Sequence, residues 1–160
     1  MTASTDVIDA LAGIEPGSPT AALRERRPDF VRYTQGSHDV LLAPADPAGV
    51  SLAERALIAL RVATIERSDA LADHYRAQLR AVLGDGDAPA VGTPRLQAVL
   101  DHVERVTTAP RTATKAHLDD LRTHGLSPRD IVTIAQLVAF VSYQVRVAVG
   151  LRLLAEEARA

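Results

Sequence analysis

No cysteine occurs in the 160 residues of the chain. That absence excludes disulfides, thiolate metal sites and every reaction needing a sulfur nucleophile within the chain. Tryptophan is also missing, and the aromatic side chains are only two Phe and three Tyr. The core must then be built from Leu, Val, Ile and the abundant Ala. Small side chains let helices pack closely, and alanine is the best helix former. Neither sign of charge prevails, since 18 basic and 20 acidic residues leave a formal charge of −2. No long block of either sign exists, so nucleic acid is not an expected partner. No basic segment leading into an apolar stretch opens the chain, so a secretory signal is not expected and the cytoplasm is the expected compartment. The longest uncharged apolar run, Ile131 to Val145, has 15 residues, fewer than the roughly 20 that span a bilayer. It is expected to be a buried helix, not a membrane segment.

What is present predicts a single all-α domain of about seven helices over residues 1–160, with 1–50 as an N-terminal helical extension. The organising stretch is 51–83. Ser51 and Glu54 form a capping-box signature, and Leu57, Ile58, Leu60 and Val62 follow as apolar positions of a first helix. A second helix starts near Ser68, which can cap it, and Leu71, Tyr75, Leu79 and Val82 recur on one stripe. His74 lies on the flank of that stripe, which predicts partial or full burial. Asp69, Asp73, Arg76 and Arg80 fall on the other side.

Elsewhere, a short helix over Thr5 to Leu11 is expected to end at Gly13, a second to start at Ser18-Pro19, and a third to run from Pro28 to Leu42. Gly84 to Pro89 reads as a solvated turn, because it lacks the glutamate of an EF-hand loop. Thr93-Pro94 starts a helix with Leu96, Val99, Leu100, Val103 and Val106 on its stripe, and His102, beside Asp101 and Arg105, is placed on the surface. His117 and His124 share a helix face without a third ligand, and no metal or other cofactor is expected. Ser127-Pro128-Arg129-Asp130 opens a final helix from Pro128 to about Glu157. Being apolar nearly all round over its first half, that helix must be covered on every side, which predicts a subunit interface.

The stretch 51–83 resembles the core of the alkylhydroperoxidase-D and carboxymuconolactone decarboxylase (CMD) superfamily. There, a helix bearing a glutamate precedes a Cys-x-x-Cys-x-x-x-His motif at the start of the next helix. With the histidine on His74, the two cysteines fall at Arg67 and Ala70, and Glu54 falls within one position of the glutamate. The stretch 121–151 is similar to the second half of the same repeat, through Ala139-Phe140-Val141 and Arg146. The resemblance implies an AhpD-like helical fold in which the 51–83 pair packs on the long 128–157 helix. It also implies assembly as a homo-oligomer, trimer or hexamer.

With both thiols absent, the resemblance does not extend to self-sufficient peroxide reduction. One reading keeps Glu54 and His74 as a proton-transfer pair, with Arg67 or Arg61 holding a small carboxylated substrate, as in the decarboxylase branch. Against it, Glu54 is explained by capping alone, His74 by a buried imidazole bonded to a carbonyl or to Gln78, and the two arginines by surface ion pairs. Tyr143 and Gln144 interrupt an apolar helix. Together with Gln136, two turns earlier, Gln144 predicts either a polar cavity lining or an inter-helix network. The competing reading, from another class, is a non-catalytic partner or scaffold beside a cysteine-bearing homologue.

Overall fold

The structure is a computed structural model that describes residues 6–84 and 92–158. Thr5 and the expected turn beyond Gly84 lie outside the described residues. Eight α-helices and one 3-10 turn, Pro110–Thr112, account for the described elements, with no strand among them. In order they are α1 (Val7–Ala12), α2 (Pro19–Glu25), α3 (Pro28–Leu42), α4 (Leu52–Ile65), α5 (Asp69–Leu83), α6 (Pro94–Thr108), α7 (Lys115–Thr123) and α8 (Pro128–Glu157). The all-α expectation therefore stands, with one helix more than the caps and periodicity suggested.

The helix starts follow local chemistry. Ser18, Ser51, Thr93 and Ser127 each accept a hydrogen bond from the backbone N–H three residues on. Each such cap stabilises its helix by about 1 kcal/mol. The boxes at Ser51–Glu54 and Ser127–Asp130 are reciprocal. Ser68 departs from expectation. It precedes α5, but its hydroxyl is buried without a partner and makes no cap. Its backbone N–H instead bonds the Ala63 carbonyl, closing the end of α4 through Arg67, whose φ of 57° is left-handed.

α4 is the hub, packed on α5, α8 and α6. Its residues Ala56, Ile58, Ala59, Val62 and Ala63 are fully buried. The small alanines bring the neighbouring helices close, while each buried Ile or Val contributes roughly 1.5–3 kcal/mol of transfer free energy. α8 supplies the other half of the core through Ile134, Leu137, Val141 and Ala148. By length and composition the whole of α8, unlike the run within it, is long and apolar enough to cross a membrane. Here one side of it is the core, and Val132, Val149, Leu153 and Leu154 on the other side are exposed.

Two expectations about packing are corrected. Burial fades along α5: Leu71 and Tyr75 are buried, Leu79 is half-buried and Val82 is 39% exposed. His102 is buried, not on the surface, because it shares the inward face of α6 with Val99 and Val103.

The loop before α4 ties α3 to the rest. The buried Arg55 guanidinium donates to the carbonyls of Leu41, Pro47 and Val50 at 2.8–2.9 Å. Gly49 N–H donates to Asp130 Oδ1 at 3.0 Å, and Arg129 pairs with Asp46 at 3.1 Å. These contacts set where the C-terminal end of α3, with His38, meets α4 and α8.

Candidate functional site

The aromatic and imidazole rings of three helices converge. On α3, Phe30, Tyr33, Thr34, Ser37 and His38 recur at three- and four-residue spacing and so share one face. On α8, Phe140, Tyr143 and Gln144 do the same, and on α5 His74 and Tyr75 meet them. The rings form a ladder from core to surface. Tyr75 lies 5.1 Å from His74, His74 lies 5.9 Å from His38, His38 lies 6.4 Å from Phe140, and Phe140 lies 6.1 Å from Tyr143, centroid to centroid.

The inner end is polar and starved of partners. Tyr75 is buried and donates its hydroxyl to Gln144 Oε1, leaving Gln144 Nε2 unpartnered. Burial first, against the Gln144 bond, keeps the Tyr75 phenol protonated far above its ordinary range. The Nε2 atoms of both His38 and His74 are buried without a hydrogen-bond partner, as is Gln78 Oε1. Asp39 Oδ1, 3.4 Å from His38 Nδ1, orients that ring. Burial, and then the neighbouring His38, holds the His74 imidazole below its ordinary pKa. A neutral imidazole with a free Nε2 can accept or donate a proton, depending on tautomer.

At the outer end, Phe30, Tyr33, Thr34, Ser37, Phe140 and Tyr143 line a groove of about 250 Å³. A larger hollow of about 600 Å³ lies between α1, α2 and α3, where Arg24 pairs with Asp6 and Asp9. The ring ladder is the better candidate because it gathers the unpartnered Nε2 atoms of His38, His74 and Gln144.

Of the residues singled out from sequence, His74, Tyr143 and Gln144 lie in this region, with Tyr143 bonded to Thr34 Oγ1 at 3.1 Å. Glu54 does not meet His74 through a hydrogen bond. Its carboxylate serves Ser51 in the capping box and pairs with Arg95. Arg61 pairs with Glu104 at 2.5 Å on the surface. Arg67 is exposed at the turn into α5, and Ala70 is half-buried. Gln136 is exposed whereas Gln144 is buried. Eight residues overshoot two turns by about 80°, so the two amides do not share a cavity. His117 Nδ1 accepts from Thr114 N–H at 3.1 Å, and His124 Nδ1 lies 2.9 Å from the Asp120 carbonyl. No cluster of three or more His, Asp or Glu among the described residues is disposed to hold a metal ion.

Sequence reasoning missed His38 and the α3 side of the groove. A local signal existed in the spacing of Phe30, Tyr33, Ser37 and His38, but their partners on α8 lie about a hundred residues away in sequence. Such long-range meetings are invisible to periodicity.

No protein-family model matches the chain, and no curated protein matches it significantly. Solved structures do. An uncharacterized peroxidase-related protein from Silicibacter sp. TM1040 superposes with a TM-score of 0.69 at 23% identity, covering 78% of this chain and 69% of that one. An uncharacterized peroxidase-related protein from Ralstonia eutropha JMP134, described as an alkylhydroperoxidase AhpD core, superposes with a TM-score of 0.57 at 24% identity, covering 76% and 67%. Identities this low speak to architecture alone, and on that ground the chain has the AhpD-like helical fold; it contains no cysteine.

Proposed function

We propose that this chain is a non-thiol enzyme of the AhpD-like fold, in which His74 exchanges a proton with a small carboxylated substrate in a decarboxylase-like lyase reaction. The observation that carries the reading is the pair of buried, unpartnered Nε2 atoms of His38 and His74, whose rings lie 5.9 Å apart. Buried polar atoms in native proteins are ordinarily bonded, so two unpaired ring nitrogens side by side favour a bound polar ligand. In this reading His38 is the neighbour of His74 and Glu54 holds the start of α4. Arg67, with no ion-pair partner among the described residues, is the outer anion contact.

The test compares wild type with His74→Gln on a panel of small carboxylated lactones found by thermal-shift screening. Losing a general acid or base lowers the rate by about 100- to 10,000-fold. Turnover by the folded variant at the wild-type rate would reject the assignment.

A second reading rests on Glu54 and Ala70: the glutamate is committed to a cap, and Ala70 has an apolar methyl at a position where the family resemblance puts a thiol. These favour a non-catalytic scaffold beside a cysteine-bearing homologue. Its signature is a His74→Gln variant that loses several degrees of melting temperature while binding is unchanged, together with peroxide turnover only in the mixture of the two proteins. For either reading, the exposed Val132, Val149, Leu153 and Leu154 of α8 support a homo-oligomer. The family resemblance suggests a trimer or hexamer.

A further inference from the structure

We infer that the groove between α3 and α8 selects planar, ring-bearing acids and presents their polar end to the His38–His74 pair. The acid group rests on the proton-transfer reading above; the preference for a planar ring rests on the groove. The chain has only five Phe and Tyr residues, and four of them line this one groove. Phe30 is 58% and Tyr33 65% exposed, a costly placement for rings in a chain so poor in them. Phe140 and Tyr143 are inclined by only 29°, and both line the groove.

The hydroxyls around the groove are already satisfied. Thr34 Oγ1 and Tyr143 OH bond each other at 3.1 Å, and Ser37 Oγ donates to the Tyr33 carbonyl at 2.8 Å. The groove therefore offers a ligand ring faces rather than hydrogen bonds. Arg32 lies over the Tyr33 ring at 4.7 Å, so one side of Tyr33 is taken and the other is free. An aliphatic guest would gain burial here, but a flat conjugated guest adds offset stacking. Behind Phe140, the next ring inward is His38, and His74 follows. A ring seated in the groove against Phe140 thus has the two imidazoles as its inward neighbours, and its polar end is the group inferred to reach their buried Nε2 atoms.

The experiment measures binding of benzoate and of its saturated analogue, cyclohexanecarboxylate, by calorimetry or ligand-observed NMR. It uses wild type, Phe30→Ala, Tyr33→Ala and the double variant. Both substituted side chains are exposed, so the fold does not depend on them. Benzoate is expected to bind about 3- to 10-fold more tightly than the saturated acid. Each single variant should lose a similar factor for benzoate and less for its analogue. Equal affinities for the two acids, no benzoate binding at millimolar concentration, or an unchanged double variant would overturn the inference. So would a double variant whose assembly mass falls in light scattering while benzoate binding stays the same, because the groove would then be covered by a second copy. A planar preference without any effect of His74→Gln on turnover would keep the groove and reject the proton-transfer reading. The reverse pair of results would keep the histidine and reject the groove.

Discussion

His74 illustrates how one side chain carries two competing explanations with different consequences. Burial, followed by the nearby His38, disfavours its charged form. The unfolded chain therefore binds a proton that the folded chain resists, starting near the ordinary imidazole pKa of about 6.5. Stability is full above that pH and falls as the pH drops below it. The same sign holds for His102, where burial first and then Arg105 and His117 lower the value. Melting temperature should thus decline between about pH 7 and 5, and a His74→Gln, His102→Gln double variant should show a shallower decline. An equally steep decline would mean that other groups govern the acid limb. Activity follows the same shift: if His74 acts as a base, its acid-side rate loss should begin below pH 6.5, and a pH profile of kcat/KM would read it. Glu54 belongs to a different account. Its carboxylate closes the Ser51 box and meets Arg95, so Glu54→Ala, which removes both contacts, should lower stability by about 1 kcal/mol in denaturant titration.

The loop between α3 and α4 is held by a close approach that only glycine permits. A Cβ on Gly49 would lie 2.5 Å from Asp130 Oδ2, which caps α8. Gly49→Ala must push away either the cap or the loop, and should destabilise the protein by about 1–3 kcal/mol. Equal midpoints in urea for the variant and wild type would show that the loop yields freely. Burial by itself would raise the Asp130 pKa, but hydrogen bonds from Ser127 and Gly49, and the charge of Arg95, outweigh it and hold the carboxyl below its ordinary value. The stability this contributes is complete above about pH 4 and is lost as pH falls through the lowered value. α3 shows the corresponding point for function. Its 15 residues hold only Thr34 and Leu42 buried, so the helix contributes little to the core and much to the groove.

Taken as a whole, the molecule divides its labour between a core of α4 and α8 and a ring ladder at their α3 and α5 flank. This division is built on an AhpD-like helical fold in a chain that contains no cysteine. The exposed apolar face of α8 bears on assembly. A chain of 17.1 kDa that buries this face against copies of itself should scatter light as a multiple of that mass at micromolar concentration, and Leu153→Glu should reduce it. A wild-type monomer under those conditions would leave the face without an occupant.

The sequence by itself determined the helices, because caps and periodicity are local: Ser51 with Glu54, Ser127 with Asp130 and the left-handed Gly13 and Gly125 mark boundaries through contacts a few residues apart. It also excluded thiol chemistry, since no fold can supply a missing sulfur. Tertiary structure decided which side chains meet. It committed Glu54 to Arg95, forty-one residues on, buried His102, and brought His38 to His74 and Phe140. Those pairings depend on how helices distant in sequence pack around the small residues of α4, and the register of that packing is set by the whole core rather than by any one stretch.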